Sequence, residues 1–290
     1  MKLSQFLHNP AYIAAAAEKD FSAGRSFFGE LALQYLDKNA DYRALIASNL
    51  QHFNLPCSRN DVIQTVLHTG YHYHEKFISF SKPPDFYKAI FKKVSVPEDV
   101  IAEIKQNQES YEPALILCNH FGAMPLIVGL LNFYQLDISA VTRFPSEEFK
   151  QINEQKAKEI QKELACGRVK FFEPGTQLMA RMLPALEKGA TFYTVIDEHT
   201  PSSPKITFLG KTITGGAGVD QIIRAIGTDK IHVYFSIMTR TEESYALDIR
   251  KVDAQHQNFI QEIFTGFENN VKKKFEQWFF LQEVHENIVK

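Results

Sequence analysis

Five short apolar runs, spaced along the chain with helix-like segments between them, constrain this fold more than any other feature of the sequence. They are Ala114-Leu115-Ile116-Leu117-Cys118, Ile138 to Thr142, Val169 to Phe172, Thr191 to Ile196 and Ile231 to Met238. A run with little polar alternation suits a strand covered on both faces, as in parallel sheets whose crossovers are helices. Helices are expected at Pro125 to Tyr134, Glu147 to Ala165, Thr176 to Lys188, Gly218 to Ile226 and Gln257 to Gln277. The predicted class is α/β, a mainly parallel central sheet covered by helices, with a helical N-terminal segment.

That first segment has no such runs. Phe27, Leu31, Leu33 and Leu36 recur with helical spacing, and Val62, Val66, His68 and the aromatic stretch to Phe80 continue it. Pro83 and Pro84 should end that helix, with a short connecting helix at Asp85 to Phe91. No Pro/Gly/Ser-rich linker divides the 290 residues, so residues 1–290 are expected to form a single domain. Its helical part would be 1–110 and its α/β part 111–290.

The bulk numbers exclude some partners. A formal net charge of -2 gives no general attraction to polyanions, so no nucleic-acid partner is expected. Cys57, Cys118 and Cys166 form an odd set without CxxC spacing, which suits free thiols in a reducing compartment. No signal-peptide pattern opens the chain, and nowhere do about 18 apolar residues run together. The expected location is cytoplasmic, at most peripheral to the inner membrane.

Chemistry is expected just beyond strand ends, where α/β proteins place it. Asn119-His120-Phe121-Gly122 follows the first run and precedes the helix expected near Pro125. An imidazole there is either a general base beside anion-binding amides or a cap for the next helix. Asp197-Glu198-His199 follows the fourth run, and Gly215 and Gly216 lie before the helix expected at Gly218. These supply acid/base groups and close-approach amides, or else a solvated turn and a tight loop. Arg143, after the second run, is either a phosphate clamp or a surface ion-pair member.

Other groupings read as packing. His68 and His72 lie one helical turn apart near His74 and Glu75, but no HExxH pattern is present, and Tyr71, Tyr73 and Phe77 suit an aromatic face; no metal is expected. Phe172-Glu173-Pro174-Gly175-Thr176 reads as a turn with Thr176 capping a helix. Trp278, the only tryptophan, sits among phenylalanines as a buried edge or the wall of an acyl pocket.

In sequence order these blocks resemble the bacterial late acyltransferases of lipid A biosynthesis, a branch of the lysophospholipid-acyltransferase superfamily. The resemblance spans roughly Ala114 to Leu281. It rests on Asn119-His120-Phe121-Gly122, Thr142-Arg143-Phe144-Pro145, Lys188-Gly189 with Asp197-Glu198-His199, Phe208-Leu209-Gly210 with Thr212 to Gly218, and Glu276-Gln277-Trp278-Phe279-Phe280. It implies acyl transfer from an acyl carrier protein or acyl-CoA thioester to a hydroxyl or amine acceptor. His120 would be the base, Arg143 would hold a phosphate, and amides near Gly122 or Gly215 to Gly218 would stabilise the oxyanion. No cofactor is implied.

The chain departs from that pattern at Pro125, where the family carries an acid five positions after the histidine. Asp197 or Glu198 is the expected substitute, since both leave a strand near that of His120. The family's N-terminal anchor and basic surplus are missing too, which favours a small-molecule or carrier-bound acceptor, as in specialised-metabolite biosynthesis. The competing expectations are a non-catalytic acyl- or carrier-binding homologue and a thioesterase.

Overall fold

Seven helices precede the first strand in the computed structural model, which describes residues 2–81, 84–144, 146–175, 177–198, 203–216, 218–242 and 244–284. They are α1 (Leu3–Leu7), α2 (Pro10–Ala17), α3 (Phe21–Lys38), α4 (Ala40–His52), α5 (Arg59–Ser81), α6 (Pro84–Phe91) and α7 (Glu98–Glu109). The starts of α2 and α3 are written locally: Asn9 accepts from the Ala11 amide with Pro10 in the first turn, and Asp20 accepts from the Ala23 amide. Helices α3 and α5 pack closely because Gly70 has no side chain; a Cβ there would lie 2.5 Å from the Phe28 carbonyl oxygen.

The remainder alternates as expected, through β1 (Ala114–Gly122), α8 (Ile127–Phe133), β2 (Ile138–Val141), α9 (Glu147–Leu164), β3 (Val169–Phe172), α10 (Leu178–Leu186) and β4 (Thr191–Val195). A hairpin of β5 (Lys205–Phe208) and β6 (Lys211–Thr214) follows, then α11 (Val219–Ile226), β7 (His232–Arg240), β8 (Tyr245–Val252) and α12 (Phe259–Lys274). The six-stranded sheet has the order β3-β2-β4-β1-β7-β8. Its first five strands are parallel, and β8 pairs antiparallel with β7.

Consecutive β1 residues feed two apolar layers. Ile116 and Cys118 join α6, α7 and α8, while Leu115, Leu117 and Phe121 join the N-terminal helices together with α10, α11 and α12. One continuous cluster therefore runs from Leu3 to Val284. Among the described residues, no helix is long and apolar enough to cross a membrane.

Several boundaries differ from expectation. Strand β1 continues past Cys118 to Gly122, with irregular pairing to β7 over that stretch. The helix expected at Pro125 opens as a tight 3-10 turn, Met124–Leu126, before α8. The C-terminal helix stops at Lys274, and two 3-10 turns carry the chain to Gln282. Strand β8 and the hairpin had no counterpart among the five runs. β8 alternates buried and more open residues, as a half-covered edge strand does, and the hairpin turns through Leu209 and Gly210, both at positive φ. Pro83, expected to end α5, and Thr176, expected to cap α10, lie outside the described residues.

Candidate active site

Parallel pairing of β1 with β4 sets the geometry. Cys118 pairs with Val195, the Ile196 amide donates to the Cys118 carbonyl at 2.9 Å, and the next residue, Asp197, arrives beside His120. The His120 backbone N–H donates to Asp197 Oδ2 at 2.9 Å, and ring Nδ1 lies 2.8 Å from Oδ1. The Asp197 side chain is 2% exposed, so water competes little for it. An Nδ1–H donated to this carboxylate leaves Nε2 as the basic nitrogen.

Nε2 faces outward. Glu198 Oε1 lies 3.7 Å away on a side chain that is 66% exposed, whereas the imidazole is 13% exposed. Phe280 stacks on the ring, with centroids 5.3 Å apart and planes 19° from parallel, and Phe279 lies at 6.0 Å. Burial works against the imidazolium, but the charge and hydrogen bond of Asp197, with Glu198 and Glu283 beyond it, outweigh that and raise the His120 pKa above its ordinary value.

A buried ion pair supports the end of the strand. Arg240, closing β7, donates Nε–H and an Nη2–H to the two oxygens of Glu75 on α5 at 2.7 and 2.6 Å, and the same Nη2 donates to the Gly122 carbonyl at 2.6 Å. Arg240 is 3% exposed and Glu75 is fully buried. Tyr245 adds a hydroxyl donor to Glu75 at 3.1 Å, and the Gln277 amide accepts from and donates to the Arg240 backbone. Gly122 takes φ +57°, and a Cβ there would sit 1.9 Å from the Met238 carbonyl oxygen, so only glycine fits. The network fixes the backbone two residues beyond His120.

The segment carrying Phe279 and Phe280 is held by the N-terminal helices. Asn49 of α4 donates to the Leu281 carbonyl at 2.7 Å, and the Tyr42 hydroxyl donates to Gln282 at 2.9 Å. From α5, His72 stacks on Phe279 at 3.8 Å and 14°. Burial first, then Arg240, Lys76 and His120, keep His72 well below the usual imidazole pKa, hence neutral. His74 contacts Phe21 and Phe28, and His68 Nδ1 lies 3.4 Å from Arg240. Among the described residues, no three metal-ligating side chains converge.

The other expected site residues divide. His120, Asp197 and Glu198 come together. Arg143 is exposed just past β2, one strand beyond β4 at the same edge, with no ion pair among the described residues. Asn119 is 2% exposed, and neither side-chain polar atom has a hydrogen-bond partner among the described residues. Gly215 and Gly216 require a correction: their amides already donate to the Pro204 and Ile196 carbonyls at 3.3 and 2.6 Å, so neither N–H is free for an oxyanion. His199 lies outside the described residues.

Sequence reasoning missed Arg240 and the support given by Phe280. Arg240 follows no motif, and the Glu276 to Phe280 block gave no sign that Phe280 would lie against His120; only the packing of distant elements brings them in. Trp278 is buried against Phe53, Phe208 and Phe267. An open groove of about 430 Å³ between the hairpin, α11 and the start of α12 shares no lining residue with the His120 site. No protein-family model matches the sequence, and no curated protein matches it significantly.

Proposed function

We propose that this protein is an acyltransferase, similar in plan to the lysophospholipid-acyltransferase superfamily, with His120 as general base and Asp197 in the place of the acid that Pro125 lacks. The observation carrying this reading is the double attachment of His120 to a buried Asp197 with Nε2 turned outward. A carboxylate so placed fixes the tautomer and stabilises the imidazolium formed on proton transfer.

In the reaction, Nε2 takes a proton from the acceptor hydroxyl or amine as its oxygen or nitrogen attacks the thioester carbonyl. The tetrahedral adduct collapses with cleavage of the C–S bond, and the imidazolium returns its proton to the departing thiolate. Among the described residues, no hydroxyl or thiol hydrogen-bonds to Nε2, which favours direct transfer over an acyl-enzyme. Arg143, two strands from β1 and so about 10 Å away, would take a donor phosphate. The acyl-CoA or acyl carrier protein donor, and a small-molecule or carrier-bound acceptor, would meet in the cytoplasm or at the inner face of the inner membrane.

The test is mass spectrometry of protein incubated with octanoyl- to palmitoyl-CoA, or the same acyl carrier protein thioesters, and a panel of amines and alcohols. Acylated acceptor is expected, reduced to the uncatalysed level in His120→Ala. Free acid alone would make the protein a thioesterase, and donor binding without product would make it a non-catalytic homologue.

A further inference from the structure

Two hydrogen-bond acceptors lie side by side at the ends of adjacent strands. One is Nε2 of His120, whose Nδ1 is committed to Asp197; the other is Oε1 of Glu198, 3.7 Å from it. A single donor atom at ordinary hydrogen-bond distance, about 2.9 Å, reaches both. Glu198 has no other ion pair among the described residues and is largely open to solvent, so its carboxylate is available to a ligand.

We infer that the acceptor is a primary amine, bound as its ammonium between His120 and Glu198; the inference rests on the acyltransferase reading above. An ammonium carries enough N–H bonds to satisfy both acceptors at once, whereas a hydroxyl has one proton, and giving it to Nε2 leaves Glu198 facing oxygen lone pairs. The charges agree. The Glu198 carboxylate attracts an ammonium cation, whereas it offers a neutral alcohol no comparable Coulomb attraction.

The protons balance. One ammonium proton passes to Nε2, the amine nitrogen attacks the thioester carbonyl, the C–N bond forms and the C–S bond breaks. The thiolate takes the proton held on His120, the nitrogen's second proton returns to the freed imidazole and leaves to solvent, and the amide keeps the third.

The test measures kcat/KM for matched pairs, hexylamine against hexan-1-ol and glucosamine against glucose, with a fixed acyl-CoA donor. Each is compared with His120→Ala to subtract spontaneous aminolysis. Amide products are expected to dominate, and Glu198→Gln, checked for an unchanged Tm, is expected to lower the amine-to-alcohol ratio about tenfold. Ester formation with little amide, or an unchanged ratio in Glu198→Gln, would overturn the amine assignment and leave the acyltransferase reading standing. Transfer to neither member of any pair would overturn both.

Discussion

Asp197 grips His120 at two points, the ring and the backbone, so one carboxylate sets both the tautomer of the imidazole and the path of the strand that presents it. Asp197→Asn separates the two roles. Its amide oxygen still accepts the His120 backbone N–H, but its NH₂ faces Nδ1 and favours the tautomer with the proton on Nε2. A fall in kcat of about 10²–10⁴ is expected with little change in Tm, since a comparable exchange in a triad enzyme costs about 10⁴. Steady-state kinetics beside a thermal melt checks it.

The acidic surroundings of His120 fix the sign of its pH dependence. Its folded pKa lies above the ordinary value, which is about 6.5. As a base it must be neutral, so kcat/KM should rise with pH through an apparent pKa above that value, and Asp197→Asn should move the midpoint down. Stability runs the other way. A raised folded pKa contributes stabilisation that is complete below the unfolded value and is lost as pH climbs through the folded one. The stability advantage over His120→Gln should therefore shrink with rising pH across that interval, in urea melts at fixed pH values.

Asn119 leaves two buried polar atoms without a hydrogen-bond partner among the described residues. An unmet buried donor or acceptor costs about 1–3 kcal/mol. Asn119→Leu is expected to raise Tm by about 2 °C or more. A simultaneous loss of acyl transfer would identify the amide as a ligand-facing group kept at the expense of stability; retained turnover would remove it from the site.

The Glu75 and Arg240 pair predicts an asymmetry between single and double replacement. Arg240→Met strands a buried carboxylate and frees the Gly122 carbonyl, at a cost of about 3–5 kcal/mol. Combining it with Glu75→Leu should recover much of that loss, because neither charge then remains buried. Denaturant melts of the two singles and the double give the coupling directly.

The parallel sheet could be read from the sequence because each doubly covered strand had to be apolar throughout, as in Ala114 to Cys118 and Thr191 to Ile196. Edge strand β8 escaped because Asp248 and Arg250 alternate with Leu247 and Ile249, diluting the signal to half strength. Asp197 was within reach, since residues just past adjacent parallel strands share an edge. Arg240 was not: its partner Glu75 lies 165 positions away on a helix whose histidines and aromatics read as packing. No local pattern encodes a contact that long-range packing alone creates.

The aromatic wall against His120 comes from the last described turn of the chain, yet Asn49 and Tyr42 near its beginning hold that turn in place. The helical first third thus shapes the proposed site and is more than a scaffold at its side. A fragment starting at residue 111 would retain every proposed reacting group and lose the clasp that keeps Phe280 flat against the imidazole.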